Sequence, residues 1–181
     1  MNDNREKLVP YVNFKTRAAV NLTAVWCLTM VLGACAQTTA LEPQNQPLDA
    51  RHGRIYFIRN PVFVGKLGSA DIKIDGKLVG ALAAGTYIVA DRSPGQHKIS
   101  VYGAIDSVGS ESDINIQPGI SYYFELGPSV VRTNMDKAMS DAMGVTGQPV
   151  PARVGPNSPY QFFSLEPTAG AASIARLRSR S

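Results

Sequence analysis

The chain has 181 residues, of which 44% are hydrophobic and 18% charged, and its formal net charge is +4. This length is typical of one domain with a sizeable core. Six charged residues belong to an N-terminal leader: Arg5, Lys7, Lys15, Arg17, Asp3 and Glu6. Removal of the leader would halve the net charge, so the mature protein would not be strongly basic. We therefore expect no nucleic-acid partner.

The leader has the organisation of a signal peptide. Residues 1–17 are polar and net positive, and residues 18–32 form a run of fifteen residues without charge. A bilayer-spanning helix needs about 20 apolar residues, whereas a signal peptide needs only about 7–15. Residues 1–34 are therefore predicted to be a signal peptide.

The run ends in Val31-Leu32-Gly33-Ala34-Cys35, which resembles a bacterial lipobox. The resemblance implies cleavage between Ala34 and Cys35 and attachment of lipid to the Cys35 thiol. Two or three acyl chains make such an anchor effectively permanent. Because Cys27 would leave with the leader, the mature protein would have neither a free thiol nor a disulfide. The alternatives are an uncleaved signal-anchor helix, ordinary secretion and a Cys27–Cys35 disulfide.

The residues after Cys35 predict where the protein is held. In Gram-negative lipoproteins, a residue other than Asp at the next position implies export to the outer membrane, and here that residue is Ala36. We therefore expect a domain on the periplasmic face of the outer membrane. Residues 35–50 contain prolines and glutamines and little to bury, so they predict a lipidated cysteine and a flexible linker.

From residue 51 to 167 the apolar pattern has a period of two, which is typical of strands. Asp75-Gly76 between two such segments is a strong hairpin signal. Residues 130–159 predict a loop excursion, and residues 168–181 a basic tail with a short helix. Eight strands are predicted, at residues 54–59, 71–75, 78–82, 86–90, 96–102, 113–117, 120–126 and 160–166.

Short strands at regular spacing with Gly and Pro turns predict an all-β fold, an antiparallel β-sandwich of about seven to eight strands. Several of its segments, in this order, resemble the DUF2846 family of small bacterial lipoproteins of unknown function, over about residues 54–167. They are RIYF from Arg54, IDGKLVG from Ile74, GTY from Gly85, PGQH from Pro94, PGISYYF from Pro118 and LEP from Leu165.

Residues 72–101 are also similar to PEGA-type β modules. Both resemblances imply a prealbumin-like or immunoglobulin-like sandwich at the cell envelope. Neither implies any catalytic residues.

The candidates for chemistry are few. His97 shares a strand face with Ile99 and Val101, which predicts a histidine at the edge of the core. We expect no catalytic, cofactor-binding or metal-binding residues. Tyr123 lies opposite the face of its strand that points to the core, and with Tyr102 it is a candidate binding surface.

These observations predict a non-enzymatic envelope lipoprotein. It would be held in the membrane by lipid on Cys35, and its sandwich would bind an envelope protein or peptidoglycan. One alternative is an envelope hydrolase or small-ligand sensor that uses His97. Another is a structural or assembly subunit that pairs through an edge strand.

Overall fold

The computed structural model describes residues 38–61, 68–103, 109–129, 144–155 and 158–179. One helix is present among them, α1 (Pro167–Arg178). The strands in the same part of the chain are β1 (Thr39–Ala40), β2 (Gly53–Arg59), β3 (Ala70–Ile74), β4 (Lys77–Leu82), β5 (Thr86–Arg92), β6 (Gly95–Tyr102), β7 (Ser110–Ile116), β8 (Ser121–Pro128), β9 (Gln148–Pro149), β10 (Arg153–Val154) and β11 (Tyr160–Leu165).

The strands form two sheets packed face to face. The first sheet has the order β1-β4-β3-β6-β7-β10, and the second has the order β5-β2-β8-β11-β9. The prediction of an all-β sandwich is confirmed, and all eight predicted strands are present. The three additional strands, β1, β9 and β10, have two residues each, too few for a periodic pattern to reveal.

One pair of strands is not antiparallel. At the centre of the second sheet β2 and β8 run parallel, with Phe57 opposite Phe124. Between them the chain crosses to the first sheet for β3 and β4, returns for β5, and crosses again for β6 and β7. A parallel pair needs such a long connection, and its direction cannot be inferred from the pattern within either strand.

The inner faces of the two sheets form the main core. Phe57, Phe124 and Phe162 meet at its centre, with ring centroids 5.6–6.3 Å apart. The aliphatic side chains around them are buried as the period of two predicts: Ile55, Ile72, Ile74, Val79, Leu82, Ile88, Ile99, Val101, Ile114, Ile116 and Leu126. Each such side chain contributes about 1.5–3 kcal/mol when fully buried.

The β3–β4 hairpin turns at the predicted position. Asp75 has φ 50° and Gly76 has φ 78°, so both central residues occupy the left-handed region. A two-residue turn of this kind matches the twist of the flanking strands, which is why Asp-Gly favours it.

Residues 38–46, here called the edge strap, are part of the domain. Thr39 pairs with Ala81 of β4, and the Leu41 N–H donates to the Val79 carbonyl at 2.9 Å. A Cβ on Gly80 would lie 2.3 Å from the Thr39 carbonyl oxygen, so only glycine allows this close approach. The prediction of a flexible linker is therefore corrected for this segment.

The edge strap then reaches the edge of the other sheet. The Gln44 side-chain amide donates to the Val89 carbonyl at 3.0 Å and accepts from the Val89 N–H at 2.7 Å, as a neighbouring strand would. Glu42 forms an ion pair with Arg92 at 2.7 Å. Polar side chains make these contacts, which explains why a segment with little apolar content can be ordered.

Helix α1 covers the outer face of the second sheet. Pro167 occupies its first turn, where no backbone N–H is needed, and Arg176 in its last turn complements the helix dipole. Ile174 and Leu177 are buried against Ile58 of β2, in a second apolar cluster. The predicted basic tail is thus largely a packed helix, with the predicted pair of apolar residues on its buried side.

Several predictions concern residues outside the described part of the chain. Ala34 and Cys35 lie outside it, as do the rest of the signal peptide and residues 130–143 of the predicted excursion. Within the described residues, no helix has the length and apolar character required to cross a bilayer.

Candidate functional site

His97 lies at the edge of the core, next to two turns. Its Nδ1 is 2.7 Å from Oδ2 of Asp75, and its Nε2 is 2.8 Å from the Ser93 carbonyl oxygen. A carbonyl can only accept, so Nε2 carries a proton and donates it. The ring therefore ties the β3–β4 turn to the β5–β6 turn.

The second oxygen of Asp75 also has a partner, since Oδ1 accepts from the Lys98 N–H at 2.8 Å. Burial raises the pKa of the Asp75 carboxyl, but the bonds from His97 and Lys98 outweigh it and hold the pKa below its ordinary value. A general base needs a free lone pair directed at a substrate. Both ring nitrogens of His97 are directed at protein oxygens, so this arrangement stabilises the fold.

Tyr123 faces away from the main core, as predicted, but α1 lies over it. Its ring stacks on Tyr56 with centroids 4.8 Å apart and planes 7° apart. Burial raises the pKa of its hydroxyl. The two rings line a cavity of about 180 Å³ with Ile174 and Arg178 of the helix. Tyr123 is thus half-buried beneath the helix.

Tyr102 lies on the outer face of the other sheet. The Lys73 ammonium is 4.1 Å from its ring centroid, and its hydroxyl is 3.5 Å from Oε1 of Glu111. The structure therefore places Tyr102 and Tyr123 on opposite sides of the sandwich, and the two cannot contribute to one binding surface.

A buried carboxyl lies on the helix-covered face, two residues beyond Tyr123 on the same strand. Glu125 of β8 is only 1% exposed. Its Oε1 accepts from the Asn60 side-chain amide, and its Oε2 accepts from the Thr146 N–H at 3.2 Å. Burial raises the pKa of Glu125, and the opposing effects of Thr146, Asn60 and the positive charge of Arg176 do not cancel that increase.

A cleft of about 230 Å³ opens beside this carboxyl, between α1, the end of β2 and the segment that follows residue 143. Arg176 lies at its exposed rim and donates to Oγ of Ser173 at 3.0 Å. The lining residues are Asn60, Pro61, Gly144, Thr146, Ser173, Arg176 and Leu177. A concave site with a few polar groups and a carboxyl of raised pKa is a typical candidate binding site.

The polar groups that line the cleft suit a small anionic group. The Arg176 guanidinium offers donors to a carboxylate, and the Thr146 hydroxyl can donate a further hydrogen bond, whereas the Asn60 amide nitrogen already donates to Glu125 and to the Gly144 carbonyl. An ionised Glu125 would oppose an anion. Because burial raises its pKa, Glu125 is more readily neutral than an exposed glutamate, and this repulsion is correspondingly weaker.

The sequence patterns did not predict this site. Glu125 occupies an outward position of its strand, where a charged residue is usually solvated. Its burial depends on Asn60, Thr146 and α1, which come from distant parts of the chain. The signal available in the sequence was a lone charge among the aromatic and aliphatic residues 120–126.

The sequence patterns did not predict a second buried charge either. Arg59, at the end of β2, is 0% exposed and points into the sandwich. Its guanidinium donates to the carbonyls of Gly68 and Leu82 at 3.0 and 3.1 Å, and to the Tyr160 hydroxyl at 3.1 Å. It also lies over the Tyr160 ring, 5.2 Å from the centroid. These contacts connect both sheets at one end, so Arg59 has a structural role.

Metal chemistry needs several ligands in one place. Within the described ranges, no group of three or more His, Cys, Asp or Glu side chains is arranged to hold a metal ion.

Together these features define a class of protein: a small two-sheet β-sandwich domain with a C-terminal helix and a cleft on one outer face. Residues 49–138 match the family model described as "Protein of unknown function (DUF2846)", and the chain belongs to this family, as its sequence segments predicted. The match includes β2 to β8 and ends before β11 and α1. No curated protein matches the chain. The likeness to PEGA-type modules stays a prediction.

Proposed function

We propose that this protein is a lipid-anchored lipoprotein of the bacterial outer membrane whose sandwich binds an envelope partner without catalysis. The lipobox ending at Cys35 supports the anchor. The cleft beside Glu125 supports the binding role, because it is concave and carries the exposed cation Arg176 at its rim. This cation at a concave site is the observation that carries the proposal.

The chemistry of the cleft favours a partner that presents a carboxylate, such as a peptide chain end or an acidic side chain. Its volume of about 230 Å³ admits one such group, so a larger partner would be anchored there and would contact the surrounding surface. Both an envelope protein and the peptide part of the cell wall offer this chemistry. The identity of the bound partner distinguishes them.

Two features support binding over the alternatives. A hydrolase based on His97 would need a ring nitrogen directed at substrate, whereas both nitrogens face Asp75 and Ser93. An assembly subunit would need a long open strand edge. In the described structure, two-residue strands cover part of three of the four sheet edges, and the Gln44 side chain bonds the fourth edge, β5, at Val89, so the open stretches of edge are shortened.

The experiment is in-cell photo-crosslinking from the rim of the cleft. A photoreactive residue at the exposed position Thr146 should yield a specific adduct, whereas the same residue at Asp113, on the outer face of the other sheet, should not. Arg176→Gln should lower the yield about tenfold or more, because a hydrogen bond to a charged group contributes about 1.5–3 kcal/mol.

Arg178→Gln is the matched control, since it removes the same charge from an exposed position of the same helix that does not line the cleft. The proposal expects adduct yield with this variant to stay the same. Equal yields from Thr146 and Asp113, or a yield unaffected by Arg176→Gln, would contradict the cleft as the binding site.

A further inference from the structure

The edge strap begins at one particular end of the sandwich. Thr38 Oγ1 accepts from the Ala83 N–H at 2.8 Å and is hydrogen-bonded to the Thr86 hydroxyl. From there the strap runs antiparallel to β4, away from the β4–β5 turn. The chain therefore enters the domain at this turn. The Gly85 N–H donates to the Arg59 carbonyl at 2.7 Å, so the end of β2 lies there as well.

The distance from this point to the anchor is short. Only two residues separate Cys35 from Thr38, and three Cα–Cα steps of about 3.8 Å give a reach of roughly 11 Å. The opposite end of the domain is farther away, because a seven-residue strand such as β5 is about 23 Å long at 3.3 Å per residue. A lipid on Cys35 would hold the two ends at different heights above the bilayer.

We propose that the end of the sandwich formed by Pro61 and residues 83–86, here called the bilayer end, rests on the lipid headgroup surface. This inference depends on the lipid anchor proposed above and adds the orientation of the domain. The short tether specifies the partner of this surface, which is the membrane that holds the lipid of Cys35.

The composition of the two ends agrees with this orientation. Among the described residues of the bilayer end, Pro61, Ala83, Ala84, Gly85 and Thr86 are uncharged, so their own contact with headgroups desolvates no charge.

The opposite end carries Asp75, Lys77 and His97 beside the two turns. Because Asn60 and Pro61 line the candidate cleft, that cleft would open near the headgroups, within reach of partners at the membrane surface.

Site-specific fluorescence quenching tests the orientation. The full-length protein is expressed with Ala84→Cys or Ser93→Cys, extracted in lipidated form and labelled with a small fluorophore. With Cys27 removed and Cys35 acylated, the introduced thiol is the only one in the mature protein. Each variant is placed in phosphatidylethanolamine–phosphatidylglycerol vesicles that contain lipids with a nitroxide on the headgroup, after its unfolding midpoint is compared with that of the unlabelled protein.

The label at Ala84 should be quenched several-fold more than the label at Ser93. A flexible insertion of 20 Gly and Ser residues after Ala36 would span roughly 25 Å and should abolish the difference. Equal quenching at the two sites in the original protein would overturn the orientation, and so would a difference that survives the insertion.

The mass of each purified protein separates failure of the anchor from failure of the orientation. An unacylated Cys35 would contradict the anchor and the orientation together. An acylated Cys35 with equal quenching at Ala84 and Ser93 would contradict the orientation alone.

Discussion

Gly170→Ala in α1 has two opposing effects on the free energy of unfolding. Their magnitudes decide whether the protein becomes more or less stable. In a helix interior, alanine is favoured over glycine by about 1 kcal/mol. Here, however, a Cβ would lie 2.2 Å from Cγ of Tyr123 and 2.5 Å from two more of its side-chain atoms. The Tyr123 ring has little freedom to move because it stacks on Tyr56 at 4.8 Å. The helix would have to lift, which would expose part of Ile174 and Leu177.

Overpacking of this kind costs about 1–3 kcal/mol, and an overlap with three atoms belongs at the upper end of that range. We therefore expect Gly170→Ala to lower the free energy of unfolding by about 2 kcal/mol, measured by urea denaturation of the protein expressed from residue 36 onward. Ala172→Gly, at an exposed position of the same helix, should cost about 1 kcal/mol from propensity alone.

A double-mutant cycle isolates the clash. In a Tyr123→Ala background the obstacle is gone, and Gly170→Ala should raise the free energy of unfolding by about 1 kcal/mol through propensity. If Gly170→Ala stabilised the protein with Tyr123 present, the close packing of α1 on β8 would be refuted.

Three more predictions concern polar contacts. Folding raises the pKa of Glu125, so the stability of wild type relative to Glu125→Gln should fall as pH rises above about 4. The fall should be at most about 1.4 kcal/mol for each pH unit and should stop once the pH exceeds the pKa in the folded state. Urea titrations at several pH values measure this difference in stability. Folding lowers the pKa of Asp75, so the greater stability of wild type over Asp75→Asn should disappear as pH falls below about 4. Because the Asp75 side chain is half-exposed, this difference in stability should stay under about 1 kcal/mol. Gln44→Ala removes two hydrogen bonds to Val89, so it should lower the free energy of unfolding by about 1–3 kcal/mol and speed hydrogen exchange of the Val89 amide. An unchanged exchange rate would contradict the contact between the edge strap and β5.

The main architecture could be predicted because each strand carries its own evidence. Alternation at Ile72 and Ile74 indicates which face is buried, and Asp75-Gly76 specifies the turn that follows. Such signals are local, and a sandwich of antiparallel hairpins follows from them. The parallel pairing of β2 with β8 could not be inferred in this way, since it depends on the path of the chain between them.

The candidate site and the edge strap depend on non-local contacts. Gln44 lies in a segment with little apolar content, so no periodic pattern indicates that its amide bonds to Val89 of β5, 45 residues later in the chain. Glu125 and Arg59 resemble solvated charges until the partners that surround them are known. Their partners come from positions up to 101 residues away, as with Arg59 and Tyr160, and no pattern within a strand encodes that distance.

The mass of the mature N-terminal peptide shows whether Cys35 anchors the domain, on which the proposed location and orientation both depend. Protein extracted from membranes is digested, and the peptide that contains Cys35 is measured beside a Cys35→Ser control. We expect a chain that begins at Cys35 and carries a diacylglyceryl group and an N-linked acyl chain, while the control is unacylated and retains residues 1–34. An unmodified Cys35 in a membrane-bound chain that still carries residues 1–34 would contradict the lipid anchor and indicate an uncleaved signal anchor.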